Sequence, residues 1–149
     1  MNTKDNEIRV NTEDNRQSKT FKFDRVFDGS ATQEEVFRKI QIANIVNKVV
    51  EGYHSTIFAY GQTGSGKTYT MEGYQYQIEP QNKQAMKSSR NCKPVIDPSS
   101  PNVGLIPRAI SCLFGMIEGH SKLYTRSYKV YCSFLQIYNE KIYDLLNPS

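Results

Sequence analysis

Ser55-Thr-Ile-Phe-Ala-Tyr60 runs without a break into Gly61-Gln-Thr-Gly64-Ser-Gly66-Lys67-Thr68, and this junction decides how the rest of the chain is read. The first six residues are β-prone and apolar without polar alternation, which predicts a buried, parallel-type strand with Phe58 and Tyr60 in the core. The next eight match G-x-x-x-x-G-K-[ST] in full, the phosphate-binding loop that joins a strand to a helix. At average residue frequencies such a match arises by chance in a chain of this length with a probability of roughly half a per cent. The motif therefore predicts anion binding on its own.

The residue types explain themselves chemically. Gly61, Gly64 and Gly66 let the backbone curl close to phosphate oxygens where a Cβ would obstruct it, and Gln62, Thr63 and Ser65 fill the turn between them. A helix starting near Lys67 adds its positive end. Lys67 is placed to reach β- and γ-phosphates, and the Thr68 hydroxyl to ligate the Mg²⁺ that bridges them. Tyr69, next in line, is positioned to offer an aromatic face to a base. The expected binding set is thus Gly61 to Tyr69, with Thr68 as the metal ligand. His54 and His120 are lone histidines beside glycines and are read as neither ligand nor base. Glu140 and Asp144 superficially resemble a magnesium-holding acid pair, but Asn139 interrupts the pattern. No N-K-x-D segment occurs, which speaks against a GTPase.

Upstream of the loop, Thr32-Gln-Glu-Glu35 has the form of a capping box, and the apolar positions from Val36 to Val50 keep helical spacing up to Gly52. One helix is expected over that span. Before it, Phe21, Phe23, Val26 and Phe27 predict a short strand and a turn at Asp28-Gly29, and at most a short strand around Glu7 to Val10 interrupts a polar lead-in over residues 1–20. After the loop, residues 74–103 are rich in Gln, Ser and Pro without periodicity and are expected to form a long surface insertion. Pro107 opens a further helix with Ile110, Leu113, Phe114 and Ile117 on its apolar face and Gly119 as its stop. Tyr128 to Tyr138 is expected as a long central strand, followed by a turn or short helix from Asn139 to Leu146. The alternation of helix and strand predicts an α/β fold with helices layered on a mainly parallel sheet.

Composition excludes several other classes. The chain has 149 residues, 38% hydrophobic and 11% aromatic, enough for a packed core. No stretch approaches the roughly 18 consecutive apolar residues of a membrane helix, so neither secretion nor membrane insertion is expected. The formal charge of +4 arises wholly after residue 60, since the first sixty residues carry nine charges of each sign. So thin an excess, without a cluster, does not describe a nucleic-acid binder. Cys92, Cys112 and Cys132 are odd in number and form no C-x-x-C pair, which predicts reduced thiols without a zinc site.

The segments TFKFDRVFDGSATQEEVF, GYHSTIFAYGQTGSGKTYTMEG, GLIPRAI and YCSFLQIYNEKIYDLLNP closely resemble, in order and spacing, the front part of a kinesin motor domain. IFAYGQTGSGKTYTM at Ile57 to Met71 is the most specific of them. The resemblance covers residues 21–149. It implies a P-loop NTPase three-layer fold with an incomplete sheet, ATP and Mg²⁺ as ligands, microtubules as partner, and a cytoplasmic, cytoskeletal place of work. It also implies that no catalytic residue lies within these 149. The N-x-x-S-S-R-S-H and D-x-x-G switch segments are expected beyond Ser149, and no adenine-supporting R-x-R-P occurs. A nucleotide-binding module that does not hydrolyse, or a P-loop kinase or GTPase unrelated to motility, are the rival readings.

Overall fold

A computed structural model of the chain describes residues 6–11, 18–73, 100–124 and 127–147. They belong to two units, Met1–Met116 and Ile117–Ser149. The first begins with an antiparallel hairpin of β1 (Glu7–Asn11) and β2 (Ser18–Lys22), in which Ile8 faces Phe21 and Lys22 meets Glu7 at 3.2 Å. Beyond β2, the Asp28 carboxylate accepts from the Ser30 hydroxyl at 2.5 Å and the Ser30 N–H at 2.9 Å. These donors hold it below the usual carboxylate range and fix the expected turn.

The helix expected from Thr32 to Gly52 is two helices, α1 (Gln33–Lys39) and α2 (Ile42–Val50). It starts as expected: the Thr32 hydroxyl accepts from the Glu35 N–H at 3.1 Å. The Glu35 carboxylate lies 2.5 Å from Lys39, one turn on, which depresses its titration. The break falls at Gln41, whose φ of 59° is left-handed. Ile40 and Ile42 both reach the core, yet on one continuous helix they would point roughly 200° apart. Gln41 resets the phase. At the far end the Gly52 N–H bonds the Val49 carbonyl and the Tyr53 N–H the Lys48 carbonyl, both at 3.0 Å, with Gly52 at φ 106°. This paired closure is what an αL glycine permits.

The core of the first unit is Ile42, Val46 and Leu105, with Ile57, Met71, Ala109, Cys112, Leu113 and Met116 packed around them. Ile42 is 1% exposed, and full burial of such a side chain stabilises by about 1.5–3 kcal/mol. Helix α4 (Leu105–Tyr124) therefore presents a stripe of Leu105, Ala109, Cys112, Leu113 and Met116, whereas the expected Ile110 and Phe114 lie largely exposed on another side. Both sides are apolar, and the burial of Leu105 at the helix start selects between them.

Residues 53–60 form no ladder with any described strand. Ile57 packs on the core, but Phe58 is 80% and Tyr60 96% exposed, correcting their expected burial. Side chains alternate along an extended chain, and nothing among the described residues covers the face that carries Phe58 and Tyr60. The expected insertion lies mostly outside the described residues, at 74–99.

In the second unit α4 continues through Gly119, the expected stop. Lys122 pairs with Glu118 at 2.7 Å, and the His120 and Tyr124 rings meet edge to face at 5.5 Å. These contacts span one turn each and carry the helix across the glycine. The expected long strand is the shorter β3 (Leu135–Tyr138), and the expected turn or short helix is a turn plus β4 (Lys141–Asp144). Asn139 and Glu140, at φ 50° and 59°, make the tight reversal of an antiparallel hairpin with Ile137 opposite Ile142. Both strands are exposed.

Candidate functional site

The candidate loop leaves the extended segment at Gly61 and ends at α3 (Lys67–Met71), whose N-cap Gly66 sits at φ 87°. Within the loop the Ser65 N–H bonds the Gln62 carbonyl at 3.2 Å, which curls the backbone. A Cβ on Gly61 would stand 2.5 Å from the Ser65 hydroxyl oxygen. A larger residue there would force the Ser65 side chain to move. Lys67 reaches back over the curl, donating from Nζ to the Gly61 carbonyl at 2.8 Å and the Gln62 carbonyl at 2.7 Å. An ammonium has three donors, so one remains.

Among the described residues the N–H groups of Gly64, Gly66, Lys67 and Thr68 have no acceptor, and the Thr68 hydroxyl makes no hydrogen bond. Thr68 is exposed, as is the Tyr69 ring. Unpartnered N–H groups around one cation make an environment for an anion rather than for a base or nucleophile. The arrangement brings Gly61 to Thr68 together as one curl.

A partner absent from the sequence reading is Gln33. Its side chain is 5% exposed and donates from Nε2 to the Tyr69 carbonyl at 2.6 Å, tying α1 to α3. The adjacent Thr32 cap was legible, but a glutamine in the middle of a capping box carries no mark of burial. Glu140 and Asp144 lie in the second unit. Asp144 accepts from the Leu146 N–H at 2.9 Å and Asn147 Nδ2 at 3.2 Å, which lowers its titration and holds the turn that follows β4. His120 Nδ1 lies 3.3 Å from the Tyr128 hydroxyl. Cys112 and Cys132 are free thiols, and no cluster of three His, Cys, Asp or Glu side chains able to hold a metal ion occurs among the described residues. No helix among them is long and apolar enough to cross a membrane.

The kinesin motor domain family model matches residues 1–149. The chain belongs to the kinesin motor domain family. Kinesin-like protein KIN-5A of Oryza sativa subsp. japonica is 43% identical over 130 residues, covering 87% of this chain and 10% of its own length. The C-terminal motor domain of Kar3 from Candida glabrata superposes with a TM-score of 0.68 at 34% identity, covering 94% of this chain and 37% of that one. Drosophila NOD gives 0.65 at 32% identity, covering 87% and 38%. NOD has been solved with divalent manganese and ADP, and docked with bovine tubulin into a map of the nucleotide-free motor on the microtubule. The chain thus spans about a tenth of this curated relative's length and under two fifths of these solved chains. The fold is that of the kinesin motor, a P-loop NTPase. The loop and helix at residues 61–71 are present here, preceded by an extended but unpaired segment, while the described sheets are two separate antiparallel hairpins, in keeping with an incomplete sheet.

Proposed function

We propose that Gly61 to Thr68 bind Mg·ATP and that the protein is an ATP-driven microtubule motor working on the cytoplasmic cytoskeleton. The observation that supports this best is the Lys67 ammonium seated on the Gly61 and Gln62 carbonyls beside four unpartnered N–H groups. In this reading Gly61, Gln62, Thr63, Gly64, Ser65 and Gly66 wrap the phosphates, and the remaining Lys67 donor bonds a phosphate oxygen. The free Thr68 hydroxyl is a hard oxygen donor suited to Mg²⁺. Tyr69 offers its exposed ring to the base. Bound Mg²⁺ supplies charge neutralisation at the phosphates. Manganese, held with ADP by NOD, favours the same oxygen ligands.

None of these 149 residues is assigned to orienting the attacking water. A phosphate-release assay tests the reading. The full-length protein should turn over ATP faster on microtubules, and residues 1–149 alone should show negligible turnover. Nucleotide binding by the full-length protein without microtubule-stimulated release would overturn the motor in favour of a non-hydrolysing module.

A further inference from the structure

We propose that Gln33 is a positioning residue for the phosphate-binding loop, acting through the last turn of α3; the inference rests on the Mg·ATP reading of that loop. A short helix that ends at a left-handed glycine commonly closes by sending the glycine N–H to the carbonyl four residues back. Helix α3 ends at Glu72 and Gly73, with Gly73 at φ 75°, so that carbonyl belongs to Tyr69. Here the Gly73 N–H turns instead to the Thr68 carbonyl at 3.3 Å, and the Tyr69 carbonyl is taken by Gln33 Nε2 at 2.6 Å. Gln33 is the one buried polar side chain among the described residues. A buried amide without its partner is costly, so the bond is held firmly from the α1 side. That side is itself fixed, because Thr32 caps α1 one residue earlier.

The chain of restraint therefore runs from the Thr32 cap through Gln33 to the Tyr69 carbonyl. It continues through the five residues of α3 to Lys67 and Thr68, two residues or fewer from Tyr69. Gln33 itself touches neither phosphate nor metal. It fixes where α3 stands, and hence where the Lys67 ammonium and Thr68 hydroxyl are held.

Gln33→Met keeps the volume and removes the donor, whereas Gln33→Glu keeps the shape and donates only when protonated. Mg·ATP affinity of the full-length protein and both variants is measured by calorimetry between pH 5.5 and 8, with Lys67→Ala alongside. Loss of one such bond should weaken binding about three- to tenfold in Gln33→Met. Gln33→Glu should be weaker still at pH 8 and recover relative to Gln33→Met as the pH falls. Glu34, Glu35, Lys67, Tyr69 and Glu72 are common to both variants, so their titration cancels in that ratio. Thermal melting of each variant over the same pH range separates the two roles, because a merely structural role would make affinity follow the loss and return of the fold, whereas a positioning role weakens binding by protein that is fully folded. Wild-type affinity in both variants, or a ratio that does not move with pH, overturns the proposal while Lys67→Ala still loses binding. Normal binding by Lys67→Ala would overturn the loop reading and this inference together.

Discussion

Excising residues 75–99 and bridging Tyr74 to Ser100 with four Gly/Ser residues should preserve the fold and stabilise it by about 1.5 kcal/mol. The magnitude follows from loop closure, which costs about 1.5RT ln n. Shortening the connection between Gly73 and Ser100 from 26 residues to five changes that term by roughly 1.5 kcal/mol. The estimate holds because both ends are fastened independently of what lies between them. The Gly104 N–H bonds the Glu72 carbonyl at 3.1 Å. A Cβ on Gly73 would stand 2.1 Å from the Asn102 carbonyl oxygen, so the two backbones touch. Arg108 clamps the returning segment, donating to the Val103 carbonyl at 2.8 Å and the Pro101 carbonyl at 3.1 Å. Ser100 lies two residues before Asn102, within about 12 Å of Gly73, a span that five residues cover. Pro101 must stay because its carbonyl is part of the clamp. Urea unfolding of the full-length protein with and without the excision is the assay, with Gly73→Ala as the contrasting variant. Gly73→Ala should destabilise by more than about 2 kcal/mol, since its Cβ meets backbone at a left-handed φ. Loss of cooperative unfolding in the shortened protein would instead mean that residues 75–99 contribute to the core.

Three further outcomes are expected. Thr32→Ala should lower stability by about 1 kcal/mol through loss of the α1 cap, read by denaturant titration. Because Lys39 holds the Glu35 carboxyl below its ordinary 4.5, the pair stabilises the fold above that pH and its contribution fades as the pH falls further. Glu35→Gln should therefore trail the wild type at pH 6 by a gap that narrows as the pH falls below 4.5, and a gap that does not narrow would contradict the pairing. Thr68→Ala should weaken binding of Mg·ATP more than of Mg-free ATP in calorimetry; equal losses would remove the metal role from Thr68.

The features legible in the sequence were those set by neighbours in the chain. Thr32 and Gly52 act through hydrogen bonds within a turn, and the loop from Gly61 to Thr68 is a local curl. What the sequence concealed depends on distant partners. Phe58 and Tyr60 are apolar whether or not a layer covers them, so composition promised a burial that the described residues do not provide. The same ambiguity hid the choice between Ala109, Cys112 and Met116 on one side of α4 and Ile110 and Phe114 on another. The break at Gln41 had a signal, the two-residue step from Ile40 to Ile42, but left-handed glutamine is uncommon and a continuous helix reads more simply. Asn139-Glu140 lacks the glycine that usually marks a two-residue hairpin, so the sequence of β4 resembles a turn or short helix as much as a strand. Gln33 left no trace because its partner, the Tyr69 carbonyl, is backbone and 36 residues away.

Mg·ATP binding by Lys67→Ala decides whether residues 61–68 hold the nucleotide. Lys67 is the one side-chain cation of the loop, and a hydrogen bond from an ammonium to phosphate contributes about 1.5–3 kcal/mol. The substitution also removes the two bonds that hold the curl at Gly61 and Gln62. Calorimetry on the full-length protein should show affinity reduced at least about tenfold; equal affinities for variant and wild type would contradict the assignment of residues 61–68 as the nucleotide site.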